Sequence, residues 1–287
     1  MKMTIKEALA WASSFLAKQH IDQGEIEAEV LLRSLFGWDR SQLFIHWHEP
    51  MPMSLFQQLE QWLERRINHE PLQYIIGSQE FYGRTFFVNS KVLIPRPETE
   101  LLVEAIMKQA EKIWDDQPIT VADIGTGSGV IAITLALERP NWRVYAIDIS
   151  QDALQIAKRN AEKLGAKLDF HHGDLLEPFI RQNFKIDILV SNPPYIPSRD
   201  IQTLMPEVKD YEPLLALDGG KDGLAFYRKI IAQSSSVLKR PGLIGFEIGI
   251  DQEKAIQKLF KEAKADSIQV IPDFQGIPRI ALAWYLK

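Results

Sequence analysis

Cysteine is absent from the 287 residues of this chain. Without thiols there is no disulfide framework, no thiolate nucleophile and no zinc site with cysteine ligands, and the composition suits a reducing compartment. The chain also lacks an apolar run of about eighteen residues, and residues 1–10 lack the basic and then apolar pattern of a secretory signal. We therefore expect a cytoplasmic protein without a membrane span.

An excess of basic charge is also missing. The formal net charge is -5, and residues 1–76 carry seven basic and ten acidic side chains. Tight binding to phosphate backbones depends on clustered Lys and Arg, so no stable nucleic-acid binding is expected, although a local basic groove is not excluded. The histidines at 46, 48, 171 and 172 lack a convincing set of carboxylate partners. No metal is predicted.

The composition is otherwise that of a globular chain with more than one core, at 46% hydrophobic and 25% charged residues. Residues 4–20, 25–36 and 53–69 carry apolar side chains at three- and four-residue spacing, which predicts helices. We expect residues 1–76 to form a small helical bundle domain. Residues 77–97 alternate aromatic and polar side chains around a glycine, which predicts a β-hairpin linker.

The remaining stretch, residues 98–287, alternates β-rich and helical runs, which predicts an α/β fold with a doubly wound, Rossmann-like sheet. Within it, Ser150 is predicted to cap a helix that Gly165 ends. Such sheets bind ligands at the carboxyl ends of their strands. The seven predicted strands cover residues 119–124, 143–148, 167–171, 186–191, 242–248, 267–271 and 279–286.

The first predicted strand runs directly into a glycine-rich turn that precedes a helical run. Glycines allow positive φ and close approach of a ligand, and a helix N-terminus offers free N–H groups. The spacing is G-x-G-x-G, and Val130 replaces the third glycine of the dinucleotide fingerprint, which favours S-adenosylmethionine over NAD. Asp148 ends the next strand, where it could accept hydrogen bonds from a ribose, and Asp123 could receive the ammonium of the methionine part. A glycine turn taken alone is more often only structural.

A second motif, Asn192-Pro193-Pro194-Tyr195, follows the predicted strand 186–191. Two successive prolines lack N–H groups, so this turn offers carbonyl oxygens. The Asn192 side-chain oxygen and the Pro193 carbonyl can hold both hydrogens of one NH2 group, while the Tyr195 ring packs flat against the conjugated group that bears it. A plain proline turn at a strand end is the simpler alternative. The motif predicts methyl transfer to a planar amino group, with positioning as the main catalytic task.

These residues resemble the protein-(glutamine) methyltransferases of the HemK type, which modify peptide-chain release factors. The resemblance covers nearly the whole chain, and the Pro-Arg-Pro-Glu-Thr-Glu segment is its most specific part. Besides the glycine loop, it is carried by Pro71–Gly77, Glu80–Gly83, Leu93–Glu100, Asn192–Ile196 and Phe246–Gly249.

The resemblance implies transfer of a methyl group from S-adenosylmethionine to the glutamine amide of a Gly-Gly-Gln sequence in a release factor, leaving S-adenosylhomocysteine. It further implies that the helical domain helps to dock the factor. Catalysis is assigned to Asn192, Pro193 and Tyr195, and the glutamine is expected to be held by these residues with Pro194. The residues assigned to the cofactor are Asp123, Gly125, Thr126, Gly127, Ser128, Gly129, Asp148, Asp174, Leu175 and Asn192.

Two positions depart from the family pattern. Leu175 stands where an aromatic residue often follows the aspartate near the adenine, and Gly276–Arg279 lacks the acidic residue that often precedes the arginine. Three alternatives stay open: a ribosomal-protein glutamine methyltransferase, a nucleic-acid adenine methyltransferase that flips the base, and a binding module without turnover. Glu98 and Glu100 are as readily helix-opening residues as substrate contacts, and Arg96 is expected to order the cofactor site.

Overall fold

The structure is a computed structural model that describes residues 3–287. Its first part is helical, and the three predicted helices are confirmed to within two residues at each end. Two short helices were missed, because five or six residues are too few to show a 3.6-residue period. The helices are α1 (Ile5–Lys18), α2 (Gly24–Phe36), α3 (Arg40–Ile45), α4 (Met53–Ile67) and α5 (Leu72–Ile76).

Local signals in the sequence set these helix ends. Thr4 and Glu7 form a capping box at the start of α1, and Gly37 ends α2 in the left-handed conformation. By its contacts the chain divides into a helical unit, up to Gly77 together with Met205–Tyr211, and an α/β unit formed by Ser78–Leu204 and Glu212–Lys287. The boundaries at residues 76 and 97 remain a prediction.

The α/β unit opens with the predicted hairpin, formed by β1 (Ser78–Phe81) and β2 (Arg84–Phe87). Both turn residues, Tyr82 and Gly83, have positive φ, at 51° and 69°, as a tight two-residue hairpin turn requires. These two strands form a separate antiparallel sheet. The hairpin is therefore confirmed.

Seven further strands form one sheet in the order β5-β4-β3-β6-β7-β9-β8. Strands β3 to β7 pair in parallel, and β9 pairs antiparallel with both β7 and β8. The predicted doubly wound, Rossmann-like fold is thus confirmed. The strands are β3 (Thr120–Ile124), β4 (Arg143–Asp148), β5 (Asp169–His172), β6 (Ile186–Ser191), β7 (Leu238–Glu247), β8 (Ser267–Pro272) and β9 (Pro278–Tyr285).

Helices cover this sheet, and apolar clusters made by both faces form two cores. The predicted helix after β4 is confirmed: the Ser150 hydroxyl accepts from the Ala153 N–H, and Gly165 ends the helix with φ of 73°. The helices of the α/β unit are α6 (Pro97–Trp114), α7 (Val130–Glu138), α8 (Gln151–Leu164), α9 (Glu177–Arg181), a 3-10 helix (Ser198–Thr203), α11 (Leu214–Leu217), α12 (Ala225–Ser234) and α13 (Glu253–Glu262). Helix α10 (Pro206–Lys209) belongs to the helical unit.

The strand order reverses between β3 and β6. From β3 the chain proceeds to β4 and β5 on one side, then returns to place β6 on the other side of β3. A crevice forms at such a switch point, outside the carboxyl ends of the two strands. Strand β7 begins at Leu238, four residues before the predicted start, through an irregular pairing with β6. Within residues 3–287, no helix is long and apolar enough to cross a membrane.

Candidate active site

The loop after β3 takes the conformation that its glycines allow. Gly125, Gly127 and Gly129 have φ of 73°, 56° and 86°, a region that side chains with a Cβ rarely occupy. Gly129 is also required by space, because a Cβ there would lie 2.7 Å from Ile133 Cδ1 and 3.1 Å from Ala157 Cβ. The loop therefore lies directly on the start of α7 and against α8.

Asp123 lies behind this loop and is fully buried. Its Oδ2 accepts from the Thr126 hydroxyl at 2.6 Å and from the Ala132 N–H at 3.2 Å, which fixes the loop to α7. Burial raises the pKa of this carboxyl to about 7. Its Oδ1 has no hydrogen-bond partner in the described structure, and a ligand ammonium is a group that would satisfy it.

Asp148, at the end of β4, faces the same loop from the neighbouring strand. Its Oδ2 accepts from the Gly127 N–H and its Oδ1 from the Ser150 N–H, both at 2.8 Å. Burial raises the pKa of this carboxyl, while these N–H donors act in the opposite direction. Each carboxylate oxygen has a second lone pair, so the geometry leaves acceptor capacity for a diol such as a ribose.

The proline turn lies across the crevice at the end of β6. The Ser191 hydroxyl donates to the Ile124 carbonyl at 2.5 Å, which joins the ends of β6 and β3. Asn192, Pro193 and Pro194 all line the cavity that contains the glycine loop. The two motifs, more than sixty residues apart in the sequence, thus share one cavity.

Tyr195 follows this turn but does not line the cavity, and neither do Asp123 and Gly129. Burial raises the pKa of the Tyr195 phenol well above its usual range. The Tyr195 carbonyl accepts from Gln252 Nε2 at 2.9 Å, and Gln252 Oε1 accepts from the Gly249 N–H at 3.0 Å. Gln252 therefore fixes the backbone that follows the proline turn, a role that the sequence did not reveal.

The cavity between the motifs has a volume of about 290 Å³. Asp174 and Leu175 line it after β5, and Arg96 lines it from the segment before α6. The Arg96 guanidinium donates to Glu212 Oε1 at 2.5 Å, and the Glu212 side chain is buried. Arg96 is thereby held at the cavity wall.

Comparisons with known proteins show which family this chain is similar to. The PrmC N-terminal domain model matches residues 7–77, and the methyltransferase small domain model matches residues 97–207. A curated release factor glutamine methyltransferase from Bacillus cereus is 42% identical over 282 residues, which cover 98% of this chain and 99% of that protein. Another from Enterococcus faecalis is 45% identical over 278 residues, covering 96% and 98%.

The chain belongs to the release factor glutamine methyltransferase family. Among solved structures, the 16S rRNA N2 G1207 methyltransferase of Thermus thermophilus in complex with AdoMet and guanosine has a TM-score of 0.50 with this chain. The match covers 72% of this chain and 49% of that one at 16% identity, so it shows a shared fold only. Methyltransferases of this fold therefore include proteins solved with S-adenosylmethionine.

The two departures from the family pattern have clear local structures. The acidic partner of Arg279 is Asp273, six residues upstream: Arg279 Nε donates to Asp273 Oδ2 at 3.2 Å across the β8–β9 turn. Leu175 has a φ of 50°, unusual for a residue with a Cβ, and its half-buried side chain forms part of the cavity wall. An apolar surface is thus present where the family often places a ring.

Thr99 and Glu247 were given no role in the sequence analysis. Thr99, in the first turn of α6, lines the cavity and is hydrogen-bonded to both Asn192 and Glu247. Glu100 instead accepts from the Tyr82 N–H at 2.7 Å, which ties α6 to the hairpin. In the described part of the chain, no group of three or more His, Asp or Glu residues could hold a metal ion.

Proposed function

We propose that this chain transfers the methyl group of S-adenosylmethionine to the side-chain amide nitrogen of the glutamine in the Gly-Gly-Gln motif of peptide-chain release factors. One observation carries the proposal: the Asn192 turn and the glycine loop with Asp148 line a single cavity at the switch point of the sheet. The curated relatives that match nearly the whole chain are named release factor glutamine methyltransferases.

The cofactor fits the donors and acceptors on one side of the cavity. Gly125 to Ser128 allow a ligand to approach the backbone closely, Asp148 offers acceptors for the ribose, and Asp174 and Leu175 complete the wall on the adenine side. We assign the ammonium to Asp123, which lies behind the loop outside the cavity lining and whose Oδ1 has no partner in the described structure. Bound there, S-adenosylmethionine supplies a methyl group already activated by its sulfonium.

The acceptor amide is held on the other side. Asn192 Oδ1 and the Pro193 carbonyl accept the two hydrogens of the NH2 group, which directs the nitrogen lone pair toward the cofactor side of the cavity. An amide nitrogen is a weak nucleophile because its lone pair is shared with the carbonyl. Hydrogen bonds to both N–H groups strengthen as positive charge develops on nitrogen, so they lower the barrier.

Although Tyr195 does not line the cavity, we also propose from the sequence motif that its ring packs against the planar amide. Its ring packs in the core beneath the turn, where a Cβ on Gly249 would lie 3.0 Å from Tyr195 Cδ2. Tyr195→Phe should retain most activity, since the contact uses the ring face, whereas Tyr195→Ala should not. Full activity of the alanine variant would remove Tyr195 from the site.

Release factors act on ribosomes, so we place the protein in the cytoplasm and in translation termination. We further propose that residues 1–76 help to dock the factor, that residues 77–97 act as a linker, and that residues 98–287 carry the transferase. A truncated protein starting at residue 78 should then bind S-adenosylmethionine with unchanged affinity but show a much higher KM for the factor.

The decisive experiment is transfer of a labelled methyl group from S-adenosylmethionine to a purified, unmethylated release factor. A factor with the Gly-Gly-Gln glutamine changed to alanine is the control, and ribosomal protein and DNA are tested in parallel. Label on the intact factor alone supports the proposal, and Asn192→Ala should then abolish transfer with little change in cofactor binding. Label on ribosomal protein or DNA alone would overturn the assigned substrate.

A further inference from the structure

Three side chains from distant parts of the sequence form a hydrogen-bonded chain that ends in the cavity. Asn192 Nδ2 donates to Thr99 Oγ1 at 3.3 Å, and the Thr99 hydroxyl donates to Glu247 Oε2 at 2.6 Å. Thr99 and Glu247 are each 2% exposed, whereas Asn192 is half-buried and lines the cavity. The chain thus runs from a buried carboxylate to the residue at the proposed acceptor site.

The available hydrogens determine which atom donates and which accepts in each of these two hydrogen bonds. A threonine hydroxyl has one hydrogen, and here it points to an acidic side chain, which in its ionised form can only accept. Thr99 Oγ1 can then act toward Asn192 only as an acceptor. Asn192 must present its NH2 group to Thr99, and its Oδ1 is consequently directed away from Thr99.

Neither contact is explained by helix capping. Thr99 lies in the first turn of α6, where a hydroxyl commonly bonds to nearby backbone, but its partners are 93 and 148 residues away. Burying a carboxylate is costly unless it is well paired. Glu247 ends β7, next to β6, which leads directly into Asn192, so this carboxylate lies behind the acceptor side of the cavity.

We infer that Thr99 and Glu247 are positioning residues that lock the Asn192 amide with its oxygen toward the acceptor. With this orientation the cavity receives a group that donates N–H bonds, such as a primary amide nitrogen. A rotated Asn192 amide would present N–H donors and would bind the amide carbonyl of the glutamine instead. The inference rests on the proposed function. It extends that function by explaining why the amide nitrogen of the glutamine, and not its carbonyl oxygen, is held at Asn192.

Matched pairs of variants separate hydrogen bonding from packing. Thr99→Val and Glu247→Leu remove the donor and the acceptor, while Thr99→Ser and Glu247→Gln keep a hydroxyl and a carbonyl oxygen at the same places. Thr134→Val is the control, because this buried hydroxyl in α7 has no hydrogen-bond partner in the described structure. Assays are run at pH 8.5, above the pKa of Glu247, which burial raises to about 7.

Steady-state methylation of the release factor and calorimetric binding of S-adenosylmethionine are measured for each variant. We expect kcat to fall about 10- to 100-fold for Thr99→Val and Glu247→Leu, because the acceptor amide loses a fixed partner. KM for the factor and the cofactor Kd should stay within about twofold, and the serine, glutamine and control variants should keep kcat within about threefold.

Three results would overturn the inference: unchanged kcat in both disruptive variants, equal losses in the disruptive and conservative variants, or a loss of the same size in Thr134→Val. The wild-type protein tests the proposed function separately. If it labels a different acceptor in place of the factor, the substrate assignment fails, and the variant-to-wild-type ratio on that acceptor still decides the inference. If it labels no acceptor, both fail.

Discussion

Replacing Asn160 should destabilise the α/β unit and loosen the glycine loop together. This side chain of α8 is fully buried and makes three hydrogen bonds. Its Oδ1 accepts from the Phe87 N–H at 2.7 Å, and its Nδ2 donates to the carbonyls of Phe87 at 3.0 Å and Ser128 at 2.9 Å. One amide therefore joins the hairpin, α8 and the loop.

The size of the effect follows from the partners left behind. Asn160→Leu keeps a similar volume but leaves one N–H and two carbonyls buried without this partner. An unsatisfied buried donor costs about 1–3 kcal/mol, and the carbonyls add less, so we expect a loss of about 2–5 kcal/mol in the free energy of unfolding. For a unit of roughly 200 residues this lowers Tm by about 5–15 °C.

Thermal unfolding followed by near-UV circular dichroism checks this value, and calorimetry should show weaker S-adenosylmethionine binding because the Ser128 carbonyl is released. Asn141→Leu is the control. Asn141 is exposed and donates to the Asp116 carbonyl at 2.9 Å, so its loss should change Tm by no more than about 2 °C. An Asn160→Leu protein that unfolds within about 2 °C of wild type would refute the reasoning.

Three other predictions concern single residues. Gly129→Ala should lower the free energy of unfolding by about 1–3 kcal/mol, because φ is 86° and the new Cβ would contact Ile133. Urea unfolding measures this loss, and an unchanged midpoint would contradict the prediction. Asp148→Asn should raise the S-adenosylmethionine Kd at least about tenfold, by calorimetry, since a charged acceptor is lost. The pKa of Glu247 is raised from 4.5 to about 7 on folding, so this carboxyl stabilises the fold below about pH 4.5 and loses that contribution as pH rises through 7. The Tm of the wild-type protein minus the Tm of Glu247→Gln should therefore decrease between pH 5 and pH 8. An increase would contradict the assigned sign.

The features predicted correctly from the sequence are those with local signals. Each of the two motifs directly follows a predicted strand and lies with it within about a dozen residues. Parallel strands place their carboxyl ends at one edge of the sheet. That was enough to expect both motifs at the ligand-binding edge of the sheet. The Ser150 cap and the Gly165 stop were likewise predictable, because capping depends on side chains within one turn.

The parts that were missed depend on contacts across the fold. Nothing near Thr99 in the sequence indicates that its hydroxyl meets Glu247, 148 residues away. Gln252 is equally inconspicuous until α13 brings it to the Tyr195 carbonyl. The burial of Asp123 behind the loop also could not be seen, because a strand-end aspartate has the same local sequence whether it faces a cavity or a core.

The reversal of strand order between β3 and β6 has a consequence for synthesis of the chain. The glycine loop and Asp148 leave the ribosome well before Ile186, so the nascent sheet β5-β4-β3 has one edge of β3 without its eventual neighbour. That edge is apolar and carries unpaired backbone groups, which favours association between incomplete chains. We therefore expect a chain that ends before β6 to be more prone to aggregate than the complete chain.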